Sequence, residues 1–156
     1  MTTADLILGA ELTLATFSAL PTPRQIEAYP VLGDWSSSTL TWNNKPPYDG
    51  AEALDYQFVS GSSGSVFSWD ITKLVKSWYA TGINRGLMLK NAREYTSADY
   101  ADFHSSDTSY GAPYRPQITL AYVNQSGLEG YWSYHAQDLG RAGTAYVQDH
   151  SGNVVL

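Results

Sequence analysis

The chain has 156 residues and a net charge of −6 at pH 7, with 43% hydrophobic and only 15% charged residues. Its length suits one domain with a core of its own, and its acidic balance argues against a nucleic-acid partner, which would require clustered Lys and Arg. There are no cysteines, which excludes a disulfide framework and thiolate metal sites.

The first predicted element is a half-buried strand over residues 6–14. Its apolar residues occupy every second position, the spacing that places side chains on one face of a strand: Leu6, Leu8, Ala10, Leu12 and Leu14. A second strand, QIEAYPV over residues 25–31, alternates through Ile26 and Ala28. Because proline cannot donate to a strand ladder, Pro30 predicts that this second strand ends at a sheet edge.

A short strand is predicted at residues 39–42, leading into a long exposed loop of Asn, Pro, Asp and Gly that ends near Gly50. Two further strands, at residues 56–59 and 65–69, are separated by the flexible turn GSSG. This spacing predicts that the two strands form a hairpin.

The periodicity then changes from that of a strand to that of a helix. Apolar residues at the spacing i, i+3, i+4, i+7 and i+8 form one stripe: Ile71, Leu74, Val75, Trp78 and Tyr79. Asp70 is a suitable N-cap and Gly82 a suitable terminator. The sequence therefore predicts one short helix over residues 70–82, with Trp69 and Trp78 packed in the core.

Further strands are predicted at residues 86–90, 100–103 and 117–123. The total is about eight short strands separated by turn signals, the spacing expected of a sandwich. The 12 Tyr and 5 Trp also suit a pleated, half-buried surface. The predicted fold class is therefore an all-β sandwich with one short helix.

The composition of the sequence changes beyond Asn124, where the tail is rich in Gly and aromatic residues. A hairpin is predicted in this tail at residues 144–155. A stretch of this length cannot bury much surface alone. We therefore predict a β-sandwich domain at residues 1–124 and a C-terminal segment at residues 125–156 that packs on the sandwich or on whatever follows it.

Three segments carry a resemblance to a known family: WSSSTLTWNNKPP, DITKLVKSWYATGINRGLMLK and FHSSDTSYGAPYRPQITLAY. In order and spacing they resemble the DNRLRE domain, a jelly-roll module classed with carbohydrate-binding modules and found in large secreted bacterial and archaeal proteins. The resemblance covers residues 6–123 and implies a jelly-roll β-sandwich that binds polysaccharide or cell-wall glycan. The letters DNRLRE do not occur in the chain, and the family's opening strands are missing. The resemblance thus implies a sandwich truncated at its N-terminus, with an unpaired edge strand at residues 6–14.

The tail, GLEGYWSYHAQDLGRAGTAYVQDHSGNVVL, is similar to the segment that leads into the repeat shell of RHS/YD-repeat proteins of the cell-wall-associated kind. This resemblance implies a long bacterial parent protein, secreted or at the cell surface, whose repeat domains adjoin this module. The N-terminus lacks the features of a signal peptide, so we expect the signal to lie outside this fragment. No stretch approaches the roughly 18 apolar residues of a membrane span.

Four aromatic residues are candidates for a ligand-binding surface, since flat rings cover sugar faces with little loss of entropy on binding: Trp35, Trp42, Tyr48 and Tyr56. Tyr48 is the strongest candidate because it lies within the predicted exposed loop. The alternative is that Trp35 and Trp42 pin that loop to the core, since both belong to segments that define the fold.

The segment SADYADFHSSD offers side chains that could gather around calcium: Asp99, Asp102, His104 and Asp107. It lacks the central glycine and terminal glutamate of an EF-hand loop, so a solvated acidic loop is the preferred interpretation. His104, His135 and His150 are too scattered for a zinc site. We therefore expect no metal and no cofactor.

The chain lacks the motifs of a catalytic site. There is no GxSxG motif, and Ser62, Ser63 and Ser65 lie in a flexible turn that cannot hold a nucleophile in place. We therefore expect a non-catalytic module that binds polysaccharide. Two alternatives stay open: a structural spacer that positions the repeat shell without a ligand, and an enzyme such as a polysaccharide lyase. The enzyme would need a cleft with converging groups of perturbed pKa.

Overall fold

The computed structural model describes residues 5–93 and 100–124. In chain order its main elements are β1 (Asp5–Ala15), β2 (Leu20–Pro30), β3 (Asp55–Gly61), β4 (Val66–Asp70), α1 (Thr72–Thr81), β5 (Leu87–Asn91) and β6 (Gln117–Asn124). Two single-turn 3-10 helices occupy Trp42–Asn44 and Ala112–Tyr114. No helix within the described ranges is long and apolar enough to cross a membrane.

The strands form two three-stranded antiparallel sheets, with the strand orders β4–β1–β6 and β3–β2–β5. The predicted all-β sandwich with one short helix is confirmed. β1 lies between β4 and β6, so the expectation of an unpaired edge strand at residues 6–14 is wrong. β2 is also a central strand rather than an edge, and Pro30 is accommodated because it is the last residue of the strand.

The chain divides by its internal contacts into two units, residues 1–8 with 121–156 and residues 9–120. Of the first unit the structure describes the ends of β1 and β6, where Ile7 and Val123 are buried. The second unit holds the rest of both sheets and α1.

The core between the sheets is centred on Trp69 of β4, whose side chain is fully buried. Its indole Nε1–H donates to the Ile26 carbonyl oxygen of β2 at 2.9 Å, which links the two sheets. Phe103 packs edge-to-face on the same indole, with ring centroids 5.9 Å apart. The predicted core position of Trp69 is therefore confirmed.

The predicted alternation of β1 is present only in the second half of the strand. The apolar side chains that follow Gly9 at even positions are buried: Ala10, Leu12 and Leu14. Before Gly9 the pattern is reversed, because Leu8 is 46% exposed and Ile7 is buried. The buried side of the strand thus changes around Gly9, a residue type that often marks a bulge inside a strand.

The predicted strand at residues 39–42 is wrong, because local hydrogen bonds fold this segment into turns. The Ser36 carbonyl oxygen accepts from the Thr39 backbone N–H at 3.2 Å. The Asn44 side chain also folds back: its Nδ2 donates to the Thr39 carbonyl oxygen at 2.8 Å, and its Oδ1 accepts from the Thr41 hydroxyl at 2.9 Å. Short polar side chains of this kind compete with strand pairing for backbone partners.

β3 and β4 are consecutive strands, but the predicted hairpin between them is wrong because they belong to different sheets. The turn that joins them bonds instead to Thr16, just after β1. The Gly64 N–H donates to the Thr16 carbonyl oxygen at 2.8 Å, and the Thr16 hydroxyl donates to the Ser62 carbonyl oxygen at 3.0 Å. The φ angle of Gly64 is +81°, which glycine adopts without strain.

The N-cap of helix α1 is Ile71, so the prediction of Asp70 as the N-cap is wrong by one residue, whereas Gly82 ends the helix as predicted. The Asp70 carboxylate accepts from the Thr72 N–H at 2.8 Å, and Gly82 ends the helix at φ +70° with its N–H donating to the Trp78 carbonyl oxygen. The buried residues of the apolar stripe are Ile71, Leu74 and Val75. Trp78 is only half-buried, so its predicted place in the core is wrong.

The predicted strand at residues 100–103 is reduced to a single bridge between Phe103 and Thr16. The predicted strands at residues 86–90 and 117–123 are present as β5 and β6. The predicted hairpin at residues 144–155 lies outside the described residues.

Candidate functional site

The sheet β3–β2–β5 has one side turned towards the core and one turned away from it. Ile26 and Ala28 of β2 are buried, so the alternate residues of that strand face outward. Strand pairing brings Glu27 between Tyr56 of β3 and Lys90 of β5. We call this side the outer face, and its residues are Gln25, Glu27, Tyr29, Tyr56, Phe58, Met88 and Lys90.

Two aromatic side chains stand exposed on the β3 part of the outer face. Tyr56 is 52% exposed and Phe58 is 58% exposed. Their rings lie 5.8 Å apart at an interplanar angle of 84°, an edge-to-face pair. Single exposed apolar residues are ordinary, but neighbouring exposed rings on one sheet face form a patch of the kind that binding surfaces use.

A row of polar side chains crosses the middle of the outer face along β2. The Gln25 Nε2–H donates to Glu27 Oε1 at 3.0 Å, and the Tyr29 hydroxyl donates to Glu27 Oε2 at 2.7 Å. The bond to Glu27 raises the pKa of Tyr29 to about 12, with smaller contributions from burial and from the nearby carboxylate charge. Tyr29 therefore stays neutral at ordinary pH and holds the Glu27 carboxylate in place as an acceptor.

An open groove of about 510 Å³ adjoins the outer face at β5. It is lined by Leu40, Thr41, Trp42, Lys45, Tyr48, Met88, Leu89 and Lys90. Trp42 is 72% exposed, and Lys45 Nζ lies 3.7 Å from the centre of its ring, at cation–π distance. The groove thus combines a partly covered indole with two lysines and an apolar floor.

Backbone pairing positions Tyr48 between the groove and the outer face. The Leu32 N–H donates to the Pro47 carbonyl oxygen at 2.8 Å, and Val31 forms a bridge with Tyr48. The returning end of the loop is thereby fixed beside the end of β2. The Tyr48 ring packs on the Tyr29 ring with centroids 5.2 Å apart, so the outer face continues into the groove. We call the outer face and this groove together the sheet site.

The four aromatic residues predicted from the sequence do not form one cluster. Trp42 and Tyr48 line the same groove, and Tyr56 lies on the outer face. Trp35 lines a different, smaller groove beside Arg85. Its indole N–H donates to the Arg85 carbonyl oxygen at 2.7 Å, which ties Trp35 to the turn before β5 rather than to the core.

Sequence reasoning missed Glu27, Tyr29 and Phe58. The signal was present, because Tyr56 and Phe58 share one side of a strand, as do Glu27 and Tyr29. The missing information was which side of each strand faces away from the core, and that depends on how the two sheets pack.

Two of the residues considered for calcium, Asp102 and His104, form hydrogen bonds that hold loops together. Asp102 Oδ2 accepts from the Ser18 hydroxyl at 2.6 Å. His104 is buried, with Nδ1 at 3.0 Å from the Thr108 hydroxyl. Asp99 lies outside the described residues. In residues 5–93 and 100–124, no three His, Asp or Glu side chains are grouped so that they could hold a metal ion.

Comparison with known proteins gives one family. The family model of carbohydrate-binding module family 96 matches residues 2–122. A search of curated proteins found no match. The matched residues include the whole sheet β3–β2–β5 and the groove beside it.

Proposed function

The chain belongs to carbohydrate-binding module family 96, and on that premise we propose that it binds polysaccharide at the sheet site. The observation that carries the proposal is the outer face itself. It presents the exposed rings of Tyr56 and Phe58 beside a carboxylate, Glu27, whose two oxygens are held by neighbouring side chains.

The chemistry of these side chains suits a sugar. A pyranose ring offers C–H groups that pack on an aromatic face and hydroxyl groups that need donors and acceptors at fixed positions. Glu27 is an acceptor fixed by Gln25 and Tyr29, and Lys90 lies opposite it on β5. Because these groups are already ordered before binding, little side-chain entropy is lost when a ligand binds.

We further propose that the module is of the DNRLRE type, is non-catalytic, and occupies residues 1–124. The three segments that resemble the DNRLRE family support this assignment. The similarity of residues 125–156 to RHS/YD-repeat proteins supports a long bacterial parent protein, secreted or in the cell wall, with repeat domains adjoining the module. In this setting the module would hold its parent on a polysaccharide.

The proposal is tested by screening the full chain on a glycan array and measuring the best ligand with substituted chains. Tyr48→Ala and Tyr56→Ala should each weaken binding by about tenfold, the effect of losing about 1.4 kcal/mol. Tyr56→Ala should leave the melting temperature within a few degrees of the original, since Tyr56 is 52% exposed. Tyr48 is half-buried against the Tyr29 ring, so Tyr48→Ala should lower the melting temperature further than Tyr56→Ala does. Tyr100→Ala is the matched control, because Tyr100 is 59% exposed and lies outside the sheet.

The same measurements decide between binding and the structural-spacer alternative. A spacer would bind no glycan on the array, and no substitution would then change a binding signal. Equal losses of binding from Tyr48→Ala and Tyr100→Ala would instead place the ligand elsewhere.

The non-catalytic proposal needs its own assay. The chain is incubated with alginate, pectin and peptidoglycan, with and without calcium, and the products are examined for new reducing ends or unsaturated sugars. We expect no turnover, because the sequence has no motif that would position a nucleophile or hold an acid and a base at a fixed separation. Product formation that disappears in Glu27→Gln would establish an enzyme instead.

A further inference from the structure

Trp35 and the turn before β5 form a second polar groove of about 340 Å³. Its lining residues are Asp34, Trp35, Asn84, Arg85 and Gly86, none of which lines the groove of the sheet site. We propose that this second groove is a separate pyranose-binding subsite. The inference takes from the proposed function only the premise that the ligand is a glycan.

The indole of Trp35 is held in one orientation without being buried. Its N–H donates to the Arg85 carbonyl oxygen at 2.7 Å, and its six-membered ring lies over Gly86, 3.5 Å from where a Cβ of that residue would stand. Gly86 has a φ of +77°, so a larger residue would be strained there. Trp35 nevertheless remains 46% exposed.

Polar groups beside this indole contact one another at the surface, where the Asp34 side chain is 88% exposed. Arg85 Nε donates to Asp34 Oδ1 at 2.8 Å, and Asn84 Oδ1 accepts from the Gly86 N–H at 2.9 Å. These bonds use one atom of each side chain. Within the part of the chain that the structure describes, the other polar atoms of these side chains form no hydrogen bond: Asp34 Oδ2, the Arg85 Nη groups and Asn84 Nδ2.

Together these groups match the C–H groups and hydroxyl groups of a sugar ring. The exposed indole offers an aromatic surface for ring C–H groups, the guanidinium and the amide offer donors, and the second carboxylate oxygen offers an acceptor. A concave site with a few converging polar groups is the usual form of a small-ligand site. If Trp35 only pinned the loop, no ligand would be expected to affect its indole.

The subsite is tested by NMR on the ¹⁵N-labelled full chain, titrated with tetrasaccharides of cellulose, mannan, xylan, pectin and alginate. The indole N–H signal of Trp35 is assigned through its loss in Trp35→Phe. We expect this signal and the Gly86 amide to shift in a saturable way with at least one probe. The ligand concentration at the half-maximal shift of these two signals should be unchanged in Tyr48→Ala, a substitution that impairs the sheet site.

Two substitutions probe the polar groups. Asp34→Asn keeps the size of the side chain but removes its charge, and Arg85→Lys keeps the charge but removes the planar fork of donors. Each should raise the ligand concentration needed for the half-maximal shift at Trp35 by about tenfold. The corresponding concentrations for signals of the sheet site should not change. Melting temperatures measured in parallel identify any variant that fails to fold. Such a variant is replaced by Trp35→Phe, which keeps an aromatic ring, and its ligand titration is followed at the Gly86 amide signal.

The possible outcomes separate this inference from the proposed function. If sheet-site signals shift while Trp35 and Gly86 do not, the second subsite is excluded and the proposed function stands. If Tyr48→Ala abolishes the shifts at Trp35, the two grooves act as one site and the inference is wrong. If only Trp35 and Gly86 respond, the subsite stands and the sheet site fails. If no probe moves any signal, both fail.

Discussion

At the scale of single residues, the four tryptophans within the described ranges differ widely in burial. Trp69 is fully buried and bonds to the opposite sheet, Trp78 is half-buried on α1, and Trp42 is 72% exposed. Burial rather than residue type therefore decides what a substitution does to stability. The largest effect should fall at Trp69.

Trp69→Ala should lower the free energy of unfolding by about 3–5 kcal/mol, because it removes a buried aromatic ring and leaves the Ile26 carbonyl oxygen without its indole donor. Trp42→Ala, the control of identical residue type, should stay within about 0.5 kcal/mol of the original chain. Urea denaturation measures both. Equal losses from the two substitutions would contradict the core described above.

Tyr29 gives the outer face a pH dependence of its own. Its pKa is raised from 10.0 to about 12 in the folded chain, chiefly by the bond to Glu27. A group whose pKa is raised by folding contributes stability below its unfolded pKa, and that contribution disappears as the pH rises through the folded value. Tyr29 should therefore stabilise the chain fully below pH 10 and progressively less between pH 10 and 12.

The measurement compares the free energy of unfolding of the original chain with that of Tyr29→Phe across this alkaline range. The difference between the two should shrink as the pH rises, while other tyrosines affect both chains alike. In Glu27→Gln, ultraviolet titration should place the ionisation of Tyr29 closer to its ordinary pKa of 10.0. A difference that stays constant across the range would show that Tyr29 and Glu27 are not coupled.

At the scale of elements, the start of α1 depends on one carboxylate. Hydrogen bonds with Thr72, first with its side chain and then with its backbone, hold the pKa of Asp70 below 3.8. Asp70→Ala should cost about 1 kcal/mol at neutral pH, the usual net contribution of a hydrogen bond, because it removes the acceptor of the Thr72 N–H. Asp70→Asn retains an acceptor and should cost less.

Acid conditions test this hydrogen bond. Since folding lowers the pKa of Asp70, its contribution is complete above pH 3.8 and is lost as the pH falls through the folded value. The stabilities of the original chain and Asp70→Ala should therefore converge in acid. Chemical denaturation of both chains at neutral and acid pH measures this, and a gap that persists in acid would mean that the carboxylate charge is not involved.

At the scale of the whole molecule, the proposed domain boundary at Asn124 predicts that the sandwich is stable without the residues beyond it. The buried core draws on both sheets and on α1, whereas a segment as short as residues 125–156 buries little surface on its own. A chain ending at Asn124 should therefore retain a single cooperative melting transition and the glycan affinity of the full chain. Loss of cooperative unfolding in calorimetry would place the tail within the folded domain.

The sequence by itself determined the features that depend on local physics. The i, i+3, i+4 stripe and Gly82 predicted α1 and its end, because a helix and its C-cap involve residues within a few positions of each other. The predicted N-cap, Asp70, lies one residue before the observed N-cap, Ile71. Alternation identified β5, β6 and most of the other strands, and the aromatic content and low charge fixed the all-β class.

Only the tertiary structure decided how these elements are combined. Whether β3 pairs with β4 or with β2, and which side of β2 faces outward, depends on the burial of Trp69 against Ile26, residues 43 positions apart in the chain. The sheet site also depends on long-range pairing, since Tyr48 contacts Tyr29 only because the loop pairs with the end of β2. Such long-range pairings are selected by the packing of the whole core, which no local periodicity records.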